Sequence, residues 1–173
     1  LVKKLVAYGR EEEKKYDKHF RFTITTNGVL LDDEIQDFIN ENMDNVVLSI
    51  DGRKEINDEM RPTTNGKGSY DIIVPKFKEL IDKRGDKDYF IRGTFTNENL
   101  DFSEDLKDFY SHGFKKTSIE PVVTDEREPY AIREEHLDKI LTEYEKMSKD
   151  YIEIRKKDKD FSFFHFIIEI GRA

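Results

Sequence analysis

The 173-residue sequence contains no cysteine and no tryptophan, and only four prolines. Without cysteine the chain has no disulfide, no thiolate zinc site, no thiol nucleophile and no cluster held through its own sulfurs. No apolar run approaches the ~20 residues that cross a bilayer, and no charged-then-apolar leader is seen, so the expected location is the cytoplasm. A positive excess is missing as well: 30 Lys and Arg stand against 38 Asp and Glu, a formal charge of −8. That balance argues against nucleic acid or an anionic membrane as the partner, since both reward surplus Lys and Arg. What the chain does have is aromatic material. Thirteen Phe and eight Tyr accompany a charged fraction of 39% and supply a core, which argues against disorder. The length fits one domain. Leu1, Val2, Leu5 and Val6 already sit at helical spacing, so the sequence reads as a piece of a longer polypeptide.

Apolar periodicity switches repeatedly between about 3.6 and 2, which predicts alternating helices and strands. Leu1 to about Tyr16 reads as a helix, and Phe20 to Thr25 as a strand ended by Asn27-Gly28. Asp32 or Asp33 caps a helix bearing Ile35, Phe38 and Ile39. Asn45 to Ile50 is a second strand stopped by Asp51-Gly52, and residues 53 to 68 read as a loop. Ser69 is expected to cap a helix to about Lys83, kinked at Pro75. A strand over Asp88 to Thr96, a helix capped by Ser103 and closed by Gly113, and a strand over Thr117 to Val123 follow. A long amphipathic helix spans Leu137 to Ile154, and Phe161 to Ile170 reads as a last strand, too apolar to have a wet face. The order predicts an α/β fold of parallel strands joined by right-handed crossovers. Whether the sheet closes into a barrel or stays open, the pattern leaves undecided.

In both parallel architectures the site lies at the C-terminal ends of the strands. Thr23, Thr25 and Asn27 share one face, as do Val47, Ser49 and Asp51, while Arg92, Thr94 and the strand-ending Glu120 extend the set. Hydroxyls and a carboxylate on buried strands are costly unless something bonds them, and a small polar ligand over the sheet would. Asn-Gly and Asp-Gly are also ordinary turn chemistry. His19, His112 and His136 read as surface residues and His165 as a hydrogen-bonded core residue, without metal-site spacing. Gly66-Lys67-Gly68-Ser69 lacks the glycine spacing of a phosphate loop. These readings name no metal ligand and no acid or base.

Thr25-Thr26-Asn27-Gly28, Leu48-Ser49-Ile50-Asp51-Gly52 and Arg61 with Gly66-Lys67-Gly68-Ser69 occur in an order and spacing that resembles radical S-adenosylmethionine (SAM) enzymes. More narrowly, the chain is similar to peptide maturases with a SPASM extension. It most resembles those that form thioether cross-links in six-cysteine SCIFF peptides, with the anaerobic sulfatase maturases as relatives. The similarity extends through Pro129 to Glu135 and Phe163 to Phe166. The resemblance implies a partial (β/α) barrel, the central part of a radical SAM barrel. The [4Fe–4S]-binding N-terminal part and the C-terminal SPASM domain would lie outside it, so this segment alone should bind no cofactor and be inactive. It implies that Thr23, Thr25, Asn27, Ser49, Asp51 and Arg61 wall the SAM pocket, with Arg61 on the SAM carboxylate and Asp51 on a ribose hydroxyl or on Arg61. Arg92, Thr94 and Glu120 would meet the pocket or peptide, a placement that rests on strand position alone. The intact enzyme would cleave SAM to a 5′-deoxyadenosyl radical, abstract a hydrogen from a precursor peptide and close a thioether, with an electron donor as second partner. A sulfatase-type maturase and a non-catalytic α/β binding domain are the alternatives. Self-association through uncovered apolar surface is expected of the segment by itself.

Overall fold

The computed structural model describes residues 1–167. Along them run α1 (Val2–Tyr16), β1 (Thr23–Thr26), α2 (Asp33–Asn42), β2 (Asn45–Ser49), α3 (Lys54–Met60) and α4 (Tyr70–Arg84). These are followed by β3 (Asp88–Phe95), α5 (Ser103–Ser111), β4 (Lys116–Pro121), α6 (Leu137–Lys157) and β5 (Ser162–Phe163). The five strands form one sheet in chain order, and every neighbouring pair is parallel. That order decides what periodicity left open. Right-handed crossovers that always step the same way carry their helices to one face of the sheet, whereas a doubly wound sheet reverses direction. The topology is that of an arc of a (β/α) barrel. No helix among the described residues is long and apolar enough to cross a membrane.

Burial follows the same division. On the helix side Val46, Leu48, Ile50, Ile91 and Phe95 have no exposure and pack with Ile73, Phe77, Leu80, Phe102, Leu106 and Phe109. Phe95 stacks on Phe102 at 4.2 Å between ring centroids, and Tyr144 of α6 meets Phe102 edge-on at 4.9 Å. Each such ring contributes roughly 2–3 kcal/mol by leaving water. On the opposite face Thr25 and Arg92 are exposed and Ser49, Thr94 and Glu120 half-buried.

Helix ends show where tertiary contacts replace local caps. Asp32 caps α2 as expected, its Oδ1 accepting the Ile35 amide at 2.8 Å. Ser69 takes the N-cap position of α4 as expected, but its side chain makes no cap bond. Its hydroxyl donates to the Arg61 carbonyl at 2.7 Å, and Asp58 Oδ1 accepts the Tyr70 amide at 2.7 Å instead. Ser103 is the first residue of α5 rather than its cap, and its amide is taken at 3.1 Å by Glu143 from α6. Both serines are overruled because a carboxylate from another segment is the stronger acceptor. Pro75 lies within α4 on its exposed side, where water can bond the carbonyl it strands.

Three predicted spans need correction. Residues 53 to 68 are not all loop, since α3 occupies Lys54–Met60. The first strand begins at Thr23 because Phe20 and Phe22 precede the ladder, Phe22 lying under Gly9 of α1 with Arg10 stacked on its ring at 4.7 Å. The strand expected over 161–170 is paired only at Ser162–Phe163, after which Phe164–Phe166 form a 3₁₀ turn. That turn lets Phe166 fold back onto Phe163 and Tyr151, at 5.0 and 5.3 Å. Residues 168–170 of that expectation lie outside the described residues.

Candidate functional site

Register places the predicted polar residues on one face. Thr25 pairs with Val47, Ser49 with Arg92, and Thr94 with Glu120. By strand alternation Thr23, Thr25, Ser49, Arg92, Thr94 and Glu120 therefore all lie on the side that the crossover helices leave uncovered. Among the described residues, no hydrogen bond engages the side-chain hydroxyls of Thr23, Thr25 or Ser49, and the chains around them are exposed or half-buried. Asn27 stands at the end of β1 and does turn work: its Oδ1 accepts the Val29 amide at 3.3 Å, and Thr26 Oγ1 accepts that of Gly28 at 3.1 Å. Gly28 is obligatory there, with φ of 77° and room for a Cβ only 2.3 Å from the Phe77 ring.

The strongest polar contact at this edge is between Asp51 and Arg61. Asp51 accepts from Arg61 Nε at 2.6 Å and Nη2 at 2.9 Å, and from the Thr94 amide at 3.1 Å. A carboxylate only 5% exposed thus joins β2, the excursion after it, and β3. The fork uses one edge of the guanidinium, leaves Nη1 and the outer edge to a ligand, and holds the head group in place. α3 makes this possible. Asn57, fully buried, accepts the Asp51 amide at 3.3 Å and donates to Ser69 Oγ at 3.1 Å, which folds the excursion back over β2.

Further along the face, Arg92 pairs with Glu120, and Ser118 Oγ donates to Glu120 Oε1 at 3.2 Å. With Val47, Phe90 and Phe164 they line a cavity of about 240 Å³. A larger cavity of about 580 Å³ opens at the other end of the sheet, among Gly85, Lys87, Tyr89, Lys115 and Lys116. It holds none of the strand-end residues, and its lysines already face Asp or backbone carbonyls.

One cluster escaped the sequence reading. Arg53 Nη2 donates to both oxygens of Asp101 at 2.9 and 2.8 Å, its amide donates to Asp105 at 3.0 Å, and Asn99 donates to Asp105 at 3.2 Å. Burial pushes the Asp105 carboxyl up to about 6, with the Arg53 amide and guanidinium only partly offsetting it. In sequence, these residues look like ordinary charges of a solvated helix start.

The residues present suit the two implied cofactors differently. With no cysteine, this chain offers no ligands for the iron–sulfur cluster, and no group of three or more His, Asp or Glu among the described residues is gathered for a metal. SAM fits better. Its hydroxyls, amine and carboxylate call for hydroxyl partners and a guanidinium edge; Thr25 and Ser49, on one face of the sheet, and Arg61, held by Asp51, are groups of those kinds.

No family model matches the chain. It is 30% identical over 142 residues to the cysteine-type anaerobic sulfatase-maturating enzyme of Clostridium novyi (strain NT), an alignment spanning 78% of this chain and 37% of that protein. Native anSMEcpe, solved with bound AdoMet and Kp18Cys peptide, superimposes with a TM-score of 0.74 at 22% identity, over 88% of this chain and 43% of that one. SuiB of Streptococcus suis, solved bound to S-adenosylmethionine, gives a TM-score of 0.51 at 20% identity, over 77% of this chain and 30% of that one. The chain therefore spans less than half the length of each protein it matches. It is related in sequence to an anaerobic sulfatase-maturating enzyme and shares the fold of two proteins solved with SAM bound.

Proposed function

We propose that this chain is the central barrel segment of a radical SAM enzyme that modifies a ribosomally made peptide. A cluster-binding part before it and a SPASM domain after it would complete the protein. The observation that carries this reading is the placement of Thr25 and Ser49 on the face of successive parallel strands that the crossover helices leave uncovered, with the Asp51–Arg61 pair just past the end of β2. Thr23, Thr25, Asn27 and Ser49 bond the ribose and amino acid part of SAM, and Arg61 takes its carboxylate on the outer guanidinium edge while Asp51 fixes the inner one. Arg92, Thr94 and Glu120 line the side from which the peptide enters. When bound, SAM together with a cluster held by the rest of the protein would supply the radical chemistry. The sheet's own part is to hold the reactants in register and keep water away. A precursor peptide and an electron donor are the partners, and the cytoplasm is the location.

The order of motifs favours a thioether product. The identity to a cysteine-type sulfatase-maturating enzyme favours a second reading, oxidation of a cysteine or serine side chain rather than thioether formation. Mass spectrometry of peptides treated with the reconstituted complete gene product separates them. A thioether keeps the sulfur, loses two hydrogens and links two residues in the fragment spectrum; the second product carries no cross-link. Failure to cleave SAM with any cysteine-containing peptide would contradict both.

A further inference from the structure

Asp105 belongs to α5, and its side chain, which has no exposure, reaches the turns that follow β2 and β3. Its contacts all come from donors. Oδ1 accepts the Arg53 amide at 3.0 Å and lies 3.3 Å from Arg53 Nη1, and Oδ2 accepts Asn99 Nδ2 at 3.2 Å. Gly52 passes against it: at φ of 145°, a Cβ there would stand 2.5 Å from Oδ1. Asn99 in turn accepts the Thr96 amide at 2.7 Å. One buried carboxylate thus ties the turn after β2 to the turn after β3. Asp51, two residues before Arg53, bridges the same two strands through Arg61 and Thr94.

We propose that Asp105 is a positioning residue for the Asp51–Arg61 pair, holding residues 51–53 on the course that aims the Asp51 carboxylate, and that it does so only when ionised. The proposal rests on the reading of that pair as part of the SAM site. Protonation, or replacement by Asn, keeps one acceptor and sets a donor against either Arg53 or Asn99. Glu is excluded because Gly52 leaves no space for another methylene.

The charged groups acting on Asp105 are Arg53 from the turn after β2 and Asp101 from the turn before α5; Glu104 acts on Arg53. Burial raises its pKa to about 6 from 3.8. A raised carboxyl pKa means that the folded chain binds this proton more tightly than the unfolded one. Its contribution to global stability is therefore greatest in acid and declines as pH rises through about 6. At neutral pH the fold keeps an ionised Asp105 at a cost, and the turn contacts are what that charge secures. Acid should then favour the fold at this position while releasing the turn.

Two measurements on the reconstituted complete protein test this, each across a pH series for wild type and Asp105→Asn. Amide exchange without SAM should quicken at 51–61 in Asp105→Asn, with the melting temperature equal or higher. In wild type it should quicken beyond the intrinsic pH trend as pH falls through about 6. In equilibrium dialysis, SAM affinity should drop at least roughly tenfold in Asp105→Asn. In an Arg61→Ala background the same substitution should add less than roughly twofold, because the two act through one contact. Unchanged exchange at 51–61, or fully additive losses, would overturn the proposal. A wild type that binds no SAM would overturn the functional reading instead, with the exchange data still deciding the role of Asp105. The wild-type pH series needs no variant to fold.

Discussion

Arg61 gives one edge of its guanidinium to Asp51, so removing it does more than open a ligand contact. Asp51, 5% exposed, would keep only the Thr94 amide. Because Arg61 is itself about one-third exposed, the loss is well short of that for a fully buried pair. Arg61→Ala should lower the unfolding free energy by about 1–2 kcal/mol. Urea denaturation with an unchanged slope would show it; an unshifted midpoint would mean the pair contributes nothing to the fold. The hydroxyls were legible at this scale. Alternation alone puts Thr23 with Thr25 and Val47 with Ser49, though only the register joins the two sets on one face, and Asn27-Gly28 is a turn by the chemistry of those two residues. Arg53 and Asp105 were not legible, because burial of a carboxylate in a charged helix start depends on what another segment brings over it. The partner of Arg61 was foreseen only as one of two options for Asp51, since the path of residues 52 to 60 has no local determinant in sequence.

α3 shows how an element can hide from periodicity. Its seven residues include only Ile56 and Met60 as apolar side chains, and its buried member is Asn57. A helix held by amide bonds rather than an apolar stripe gives no 3.6-residue signal. Asn57→Ala should therefore cost about 2–3 kcal/mol, since it leaves the Asp51 amide without its acceptor and removes the bond to Ser69. Thermal melts would measure that loss, and amide exchange should quicken at Asp51. A variant as stable as wild type would show that α3 is held by its neighbours instead. The opposite case is the last strand. Its Phe-rich stretch reads as continuous sheet, yet among the described residues only Ser162–Phe163 pair with β4, and Phe166 packs on Tyr151. The central strands were legible because each is apolar on the helix side and is stopped by a turn signal.

Across the whole molecule the sheet has one covered face and one that the crossovers leave bare. Apolar surface also stands open beside β1, where Leu5, Tyr8, Tyr16 and Phe20 are exposed and a cavity of about 310 Å³ is lined by Tyr8, Tyr16, Phe20 and Phe22. Phe164 and Ile167 are exposed beyond β5. Uncovered surface beside open strand edges favours pairing between copies, so the 173-residue chain should self-associate as its concentration rises. Light scattering that stays monomeric throughout would contradict this. Equilibrium dialysis of SAM against the reconstituted complete protein, wild type beside Arg61→Ala, decides whether the helix-free face at the ends of β1 and β2 binds SAM. The variant, still folded by circular dichroism, should bind SAM at least roughly tenfold more weakly, the worth of a charge-assisted bond. Equal affinity in the two proteins would remove Arg61 from the site and overturn the proposed pocket.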